Sequence, residues 1–175
     1  MTTPAFGLST VNGLPAHILI VHMVVVFVPL SAVLLVASMR TSVAHGLGKW
    51  LPITAALALV SVFAAMNAGG WLEDRVASTA LLRRHTELGG QLWPFSLAVL
   101  LLSLFVWWNT RGPAEAEAPA GARDAGGMKR IVAVGVLAVV AATLSIVQVV
   151  RIGDSGSRAA WHGQVSSVAT HHDGD

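Results

Sequence analysis

Three histidines stand beside long apolar runs: His17 and His22 in the stretch GLPAHILIVH, and His85 ahead of the third run. Neutral imidazole is the side chain with which proteins commonly hold zinc, copper and haem iron. Inside an apolar run it is a costly choice, because a polar group stripped of water there needs another partner. A histidine kept in such a place points to a hydrogen bond, a metal or a haem. His17 and His22 are five residues apart, about 140° around a helix, so they cannot face one ion as an i, i+4 pair would. His22 lies about 7.5 Å further into the run than His17. It shares a face with Val26 and Pro29 and is expected to point into the protein, leaving His17 at the headgroup boundary.

Other polar residues gather toward the same ends of the runs: Asn67, Glu87, Gln148 and Arg151, with His162 beyond the last run. Two ligand sets follow. For a haem b, which histidines from two helices of a bundle can hold without cysteine, the candidates are His22, His85 and His17. Arg151 would pair with a propionate, and Asn67 and Gln148 would complete an outward-facing polar pocket. For a divalent metal ion, to which imidazole is suited, the candidates are His17, His22, His85, Glu87 and His162. Each set meets an objection. His22 and His85 differ in depth by about two turns. The polar residues occupy only one half of the runs, which leaves a transported ion no path. A third reading is a non-catalytic accessory or assembly subunit, which the small-residue stripe Gly135, Ala138, Ala142, Ser145 would serve by close helix packing. His45, His171 and His172 read as solvated loop and tail residues. No nucleophile elbow, HExxH pair or phosphate loop occurs in the chain, so electron transfer or an accessory role fits better than catalysis.

The elements that must position these residues are legible in the composition. Of 175 residues, 54% are hydrophobic and 11% charged, where a soluble domain carries about a quarter charged residues. Mean hydropathy is +0.68. The chain reads as an integral membrane protein. Its pI of about 9.9 reflects scarce acids rather than a strong positive charge, since the net charge is +2; nucleic acid is not an implied partner. With no cysteine, disulfides, thiolate metal sites, cysteine-held iron–sulfur clusters and covalently attached haem are excluded. The opening MTTPAFGLST lacks the positive region of a signal peptide, so the first run is expected to remain as a span.

The predicted fold is all-α, an integral membrane four-helix bundle, because a backbone in lipid must satisfy its own hydrogen bonds. Spans are expected at about 17–39, 50–70, 88–109 and 130–151 within a membrane domain at 17–152. Residues 1–16 and 153–175 form outer tails, and 110–129 a cytoplasmic linker rich in Ala, Pro and Gly. An amphipathic outer helix is expected at 73–85, with Ala77, Leu81, His85 and Leu88 on one face. Trp50, Trp107 and Trp108 mark one interface and Trp71 and Trp93 the other. The N-terminal tail has no Lys or Arg, which favours both termini outside and the first and third loops in the cytoplasm.

The stretch GLPAHILIVHMVVVFVPLSAVLLV resembles the opening of the bacterial membrane family known as domain of unknown function 2231. Members typically begin with His-Pro and then Val-His-Phe-Pro. Here Ile18 replaces the first Pro, Met23 and Val24 replace Phe-Pro, and the spacing of His17 and His22 is kept. NAGGWLEDRVASTALLRRHTELGG resembles the family's second outer loop, with Gly70, Trp71 and His85 in place. RIGDSGSRAAWHG resembles its C-terminal signature, a Gly-His-Ser-Gly-like turn before a Trp, with Asp154 where many members carry His. The resemblance, roughly from Gly13 to Gly163, implies a four-helix bundle in the bacterial plasma (inner) membrane. Some relatives are fused to Rieske-type iron–sulfur domains, which by association implies redox work, with respiratory or Rieske-type redox partners. A homo-oligomer is the other partner expected besides the lipid bilayer.

Overall fold

A computed structural model describes residues 10–11, 14–111 and 125–162. Six helices follow a two-residue antiparallel pairing of β1 (Thr10–Val11) with β2 (Leu14–Pro15). They are α1 (Ala16–Ala37), α2 (Thr41–Leu47), α3 (Trp50–Glu73), α4 (Ala80–Gly90), α5 (Trp93–Thr110) and α6 (Ala125–Trp161). Four segments are long and apolar enough to cross a membrane: α1, α3, α4 with α5, and α6 from Ile131. The 22 residues of α1 rise about 33 Å, close to the thickness of a bilayer's hydrocarbon core. The protein is a multi-pass, all-α membrane protein whose solvent is the lipid bilayer.

The distribution of side-chain size follows from that solvent. Large apolar residues cover the outside: Val26 is 58% exposed, Val60 65% and Leu101 57%. In water such a surface would aggregate; against lipid tails it costs nothing. The interior uses small residues, among them Ala32, Ala55, Ala58, Ala138 and Ala142, and serines 31, 61, 96, 103 and 145, all buried. Without a hydrophobic force between helices in lipid, close backbone approach through small residues is what holds a bundle. Three of these serines find acceptors locally, Ser31 donating to the carbonyl of Val28, Ser61 to Ala58 and Ser145 to Ala141, while the hydroxyls of Ser96 and Ser103 have no partner among the described residues. The stripe read from the sequence is part of this interface, with Ala138, Ala142 and Ser145 buried and Gly135 against Met39.

α1 packs on α3 and α6, and α5 packs on the same two helices, so the four spans close a ring. Two apolar clusters fill it. One is built on Val24, Val28, Ala58, Val62, Leu92 and Val149, the other on Leu35, Leu51, Ala55, Val99, Val106 and Ala138. α2 bridges α1 and α3 at the second end, closing on Gly48 at φ +49°, a conformation suited to glycine. Tryptophans mark both ends, and arginines stack on them: Arg75 lies 4.0 Å over Trp71 and Arg111 3.3 Å over Trp107.

Several expected bounds shift. The amphipathic helix lies at Ala80–Gly90 rather than 73–85. α3 runs on to Glu73, and Thr79 caps the next helix by accepting from the Leu82 amide at 3.1 Å. Ala77 is therefore outside the helix and exposed, while Leu81, His85 and Leu88 share its inner face. The third membrane-capable segment runs through α4 and α5, with Gln91 and Leu92 interrupting the helix between them and Pro94 in the first turn of α5. The last helix starts at Ala125, inside the expected linker, and continues through 153–161, where a tail and a turn are predicted. At 37 residues it is about 55 Å long and outruns the bilayer core at its ends. Its C-terminal extension is helical because α4 packs along it.

Candidate functional site

The end of the bundle formed by the start of α1, the end of α3, α4 and the late turns of α6 holds the polar groups that the sequence singles out. His17, in the first turn of α1, is half-buried and points at α3, where its Nδ1 lies 3.0 Å from the carbonyl oxygen of Ala65. A carbonyl only accepts, so Nδ1 carries a hydrogen, and in the neutral ring Nε2 is then the nitrogen with the free lone pair. His85, on the inner face of α4, is also half-buried. Its Nδ1 is 3.2 Å from the carbonyl of Ile152 and 3.2 Å from Ser155 Oγ, both on α6. Ser155 in turn donates to the same Ile152 carbonyl at 2.9 Å, which leaves its oxygen to accept from His85. The two rings meet edge-on: their centres are 6.4 Å apart and their planes 84° apart. Two imidazoles thus come together from two helices, each anchored through Nδ1 to a further helix. A histidine that ligates a metal is held in the same way, by its second nitrogen donating to a carbonyl or carboxylate.

α4 is tied to α6 by one more bond. Gln148, 3% exposed, donates from Nε2 to the carbonyl of Leu88 at 2.8 Å. That carbonyl, in the last turn of α4, also accepts from the Gln91 amide at 3.1 Å, so Gln148 is its second donor.

His22 stands elsewhere. It is exposed on the lipid side, with Nδ1 2.6 Å from the carbonyl of Ile18 in its own helix. The expectation that it points inward with Val26 and Pro29 is overturned. The buried face of α1 is Val24, Val28, Ser31, Ala32 and Leu35, and counting back from Val24 by seven reaches His17. Ser31 was the available signal: a hydroxyl deep in a span marks the interior face, and His17 is in register with it. Asn67, Arg151 and Glu87 are exposed, as is His162 beyond Trp161. Of the proposed ligand sets, only His17 and His85 are brought together, with Gln148 behind them. Among the described residues no group of three or more His, Asp or Glu side chains is gathered as a metal site. His45 is exposed in α2, and His171 and His172 lie outside the described residues. Ser155, and the glycines Gly69 and Gly156 beside the rings, carry no chemical signature of their own and are visible only in the fold.

Fold and site together define an integral membrane four-helix protein with a ring-anchored histidine pair at one end. The chain belongs to the family described as predicted membrane protein (DUF2231), whose model matches residues 13–169. No curated protein and no solved structure matches it.

Proposed function

We propose that His17 and His85 are the two axial ligands of a haem b, and that the chain is an electron-carrying subunit. The observation that carries this reading is the pair itself: two imidazoles on different helices, both with Nδ1–H donated to a carbonyl, at a ring-centre distance of 6.4 Å. If a haem b were bound, His17 and His85 would hold it through the ring nitrogens not engaged by these carbonyls, and the group would supply one-electron chemistry.

Ligand count favours haem iron over a bare ion. Structural zinc closes its shell with four protein ligands, and the described residues bring two. Haem iron arrives with four porphyrin nitrogens and asks the protein for two more. Arg151, one residue before Ile152 and exposed, is the cation for a propionate. An optical spectrum of the protein purified gently from haem-replete cells tests this. A Soret band with reduced-minus-oxidised bands of a low-spin b-type haem is expected. A colourless wild-type protein removes the haem reading.

One observation favours a second reading, a non-catalytic accessory subunit. His17 joins α1 to α3 and His85 joins α4 to α6, so both rings already have a use as helix staples. A colourless protein whose histidine variants lose thermal stability would support it.

The histidine end is assigned to the outer face of a bacterial inner membrane, within reach of a Rieske-type redox partner. This rests on the Lys- and Arg-free N-terminal stretch before Arg40. In intact cells, Val76→Cys, in the loop before α4, is expected to react with a membrane-impermeant thiol reagent and Ser42→Cys, in α2, to resist it. Labelling of Ser42→Cys with protection of Val76→Cys would invert the assignment.

A further inference from the structure

α3 and α6 each carry two glycines near the histidine pair, and the members of each couple differ sharply in what they face. On α3, a Cβ built on Gly69 would lie 3.1 Å from Cε1 and 3.2 Å from Nδ1 of His17, while one on Gly70 meets nothing within 4 Å. On α6, a Cβ on Gly156 would lie 2.9 Å from Cε1 and 3.1 Å from Nδ1 of His85, while one on Gly153 meets nothing within 4 Å. Gly69 and Gly156 have helical backbones and no positive φ, so conformational freedom does not explain them. In a helix a glycine costs stability relative to alanine. What the bare Cα supplies at these two places is room for an imidazole edge.

We infer that Gly69 and Gly156 are positioning residues that seat His17 and His85 by their Nδ1–Cε1 edges. In each case the seat sets the ring against the helix whose carbonyl takes its Nδ1–H: α3 for His17, through Ala65, and α6 for His85, through Ile152. Glycine and carbonyl act together. The missing side chain lets the ring approach, and the approach brings Nδ1 within hydrogen-bond distance. The consequence is a fixed tautomer: in the neutral form each ring carries its hydrogen on Nδ1 and leaves Nε2 free. The seating rests on geometry alone; that the oriented Nε2 atoms bind iron rests on the haem reading above. A methyl group at either position would push the ring off its carbonyl, release Nδ1–H, and let the proton move to Nε2.

The couples supply their own controls. In the full-length protein in lipid nanodiscs, Gly70→Ala and Gly153→Ala are expected to keep or raise the midpoint of thermal unfolding, since alanine favours helix and meets open space. Gly69→Ala and Gly156→Ala are expected to lower it by several degrees. In 15N-histidine NMR spectra, Gly69→Ala is expected to displace or lose the Nδ1–H signature of His17, and Gly156→Ala that of His85, each leaving the other in place. Equal effects within a couple, in stability and in tautomer, would overturn the inference. Should Gly156→Ala fail to fold, the double variant Gly156→Ala with His85→Ala decides: once the ring is gone, the added methyl has room and should cost nothing beyond His85→Ala alone. A double variant that also fails to fold would show that something other than the ring excludes a side chain at 156. None of these readouts needs a bound haem, so a colourless wild type removes the haem reading and leaves the seating of the rings on glycine untouched.

Discussion

Replacing either His17 or His85 with alanine is expected to abolish the b-type absorbance, with haem retained on purification falling by more than about tenfold. Altered support for a ligand alone typically costs 10- to 100-fold in metal affinity, and removing the ligand costs at least that. The same substitution at His22 is expected to leave the spectrum unchanged, because that ring faces lipid and bonds only to Ile18 of its own helix. The contrast is sharp because His17 and His22 are separated by little more than one helical turn. A spectrum that survives His17→Ala but is lost with His22→Ala would mean that α1 is rotated by about 140° from the packing described. Equal haem content in all three variants would show that neither histidine of α1 is a ligand.

Gln148→Ala is expected to loosen α4 from α6, at a cost of about 2 kcal/mol: roughly 1 for the hydrogen bond and a similar amount for the cavity. Gln148 is 3% exposed, and its amide is the side-chain donor to the Leu88 carbonyl. Amide exchange across 80–90 should accelerate about tenfold or more, while α1 and α3 remain protected. His85 rides on α4, so its Nδ1–H bond to Ile152 should weaken in parallel. Exchange in α4 unchanged within twofold would show that Leu88 and the inner apolar face hold the helix without the amide. Gln148→Leu separates the two contributions, since it keeps most of the volume and removes only the donor.

The apolar runs by themselves determined the number of spans and the helical class. In lipid a backbone has no water to turn to, so a run of about 20 apolar residues has one stable answer. The same logic placed Trp50, Trp71, Trp93 and the Trp107–Trp108 pair near the helix ends. Boundaries were less legible where polar residues resume. The start of α4 depends on Thr79 acting as a cap, and the helical run through Gly153 and Gly156 depends on α4 lying against it. An isolated stretch containing GDSG reads as a turn; packed against another helix, it completes α6.

Rotation about a helix axis was the part that only tertiary structure decided. α1 is apolar on all sides, with Val24 and Val28 inside and Val25 and Val26 outside. In a water-soluble helix, polar residues on the wet face fix the rotation. In a bilayer the outer face is as apolar as the core, so that contrast is missing and His17 and His22 look alike. Ser31, with Ser38 one heptad on at the helix end, is the internal marker in the second half of the span, and it aligns with His17. Which of the two histidines meets His85 was decided by the packing of α1 on α3, where Ala65 offers a carbonyl and Gly69 offers space.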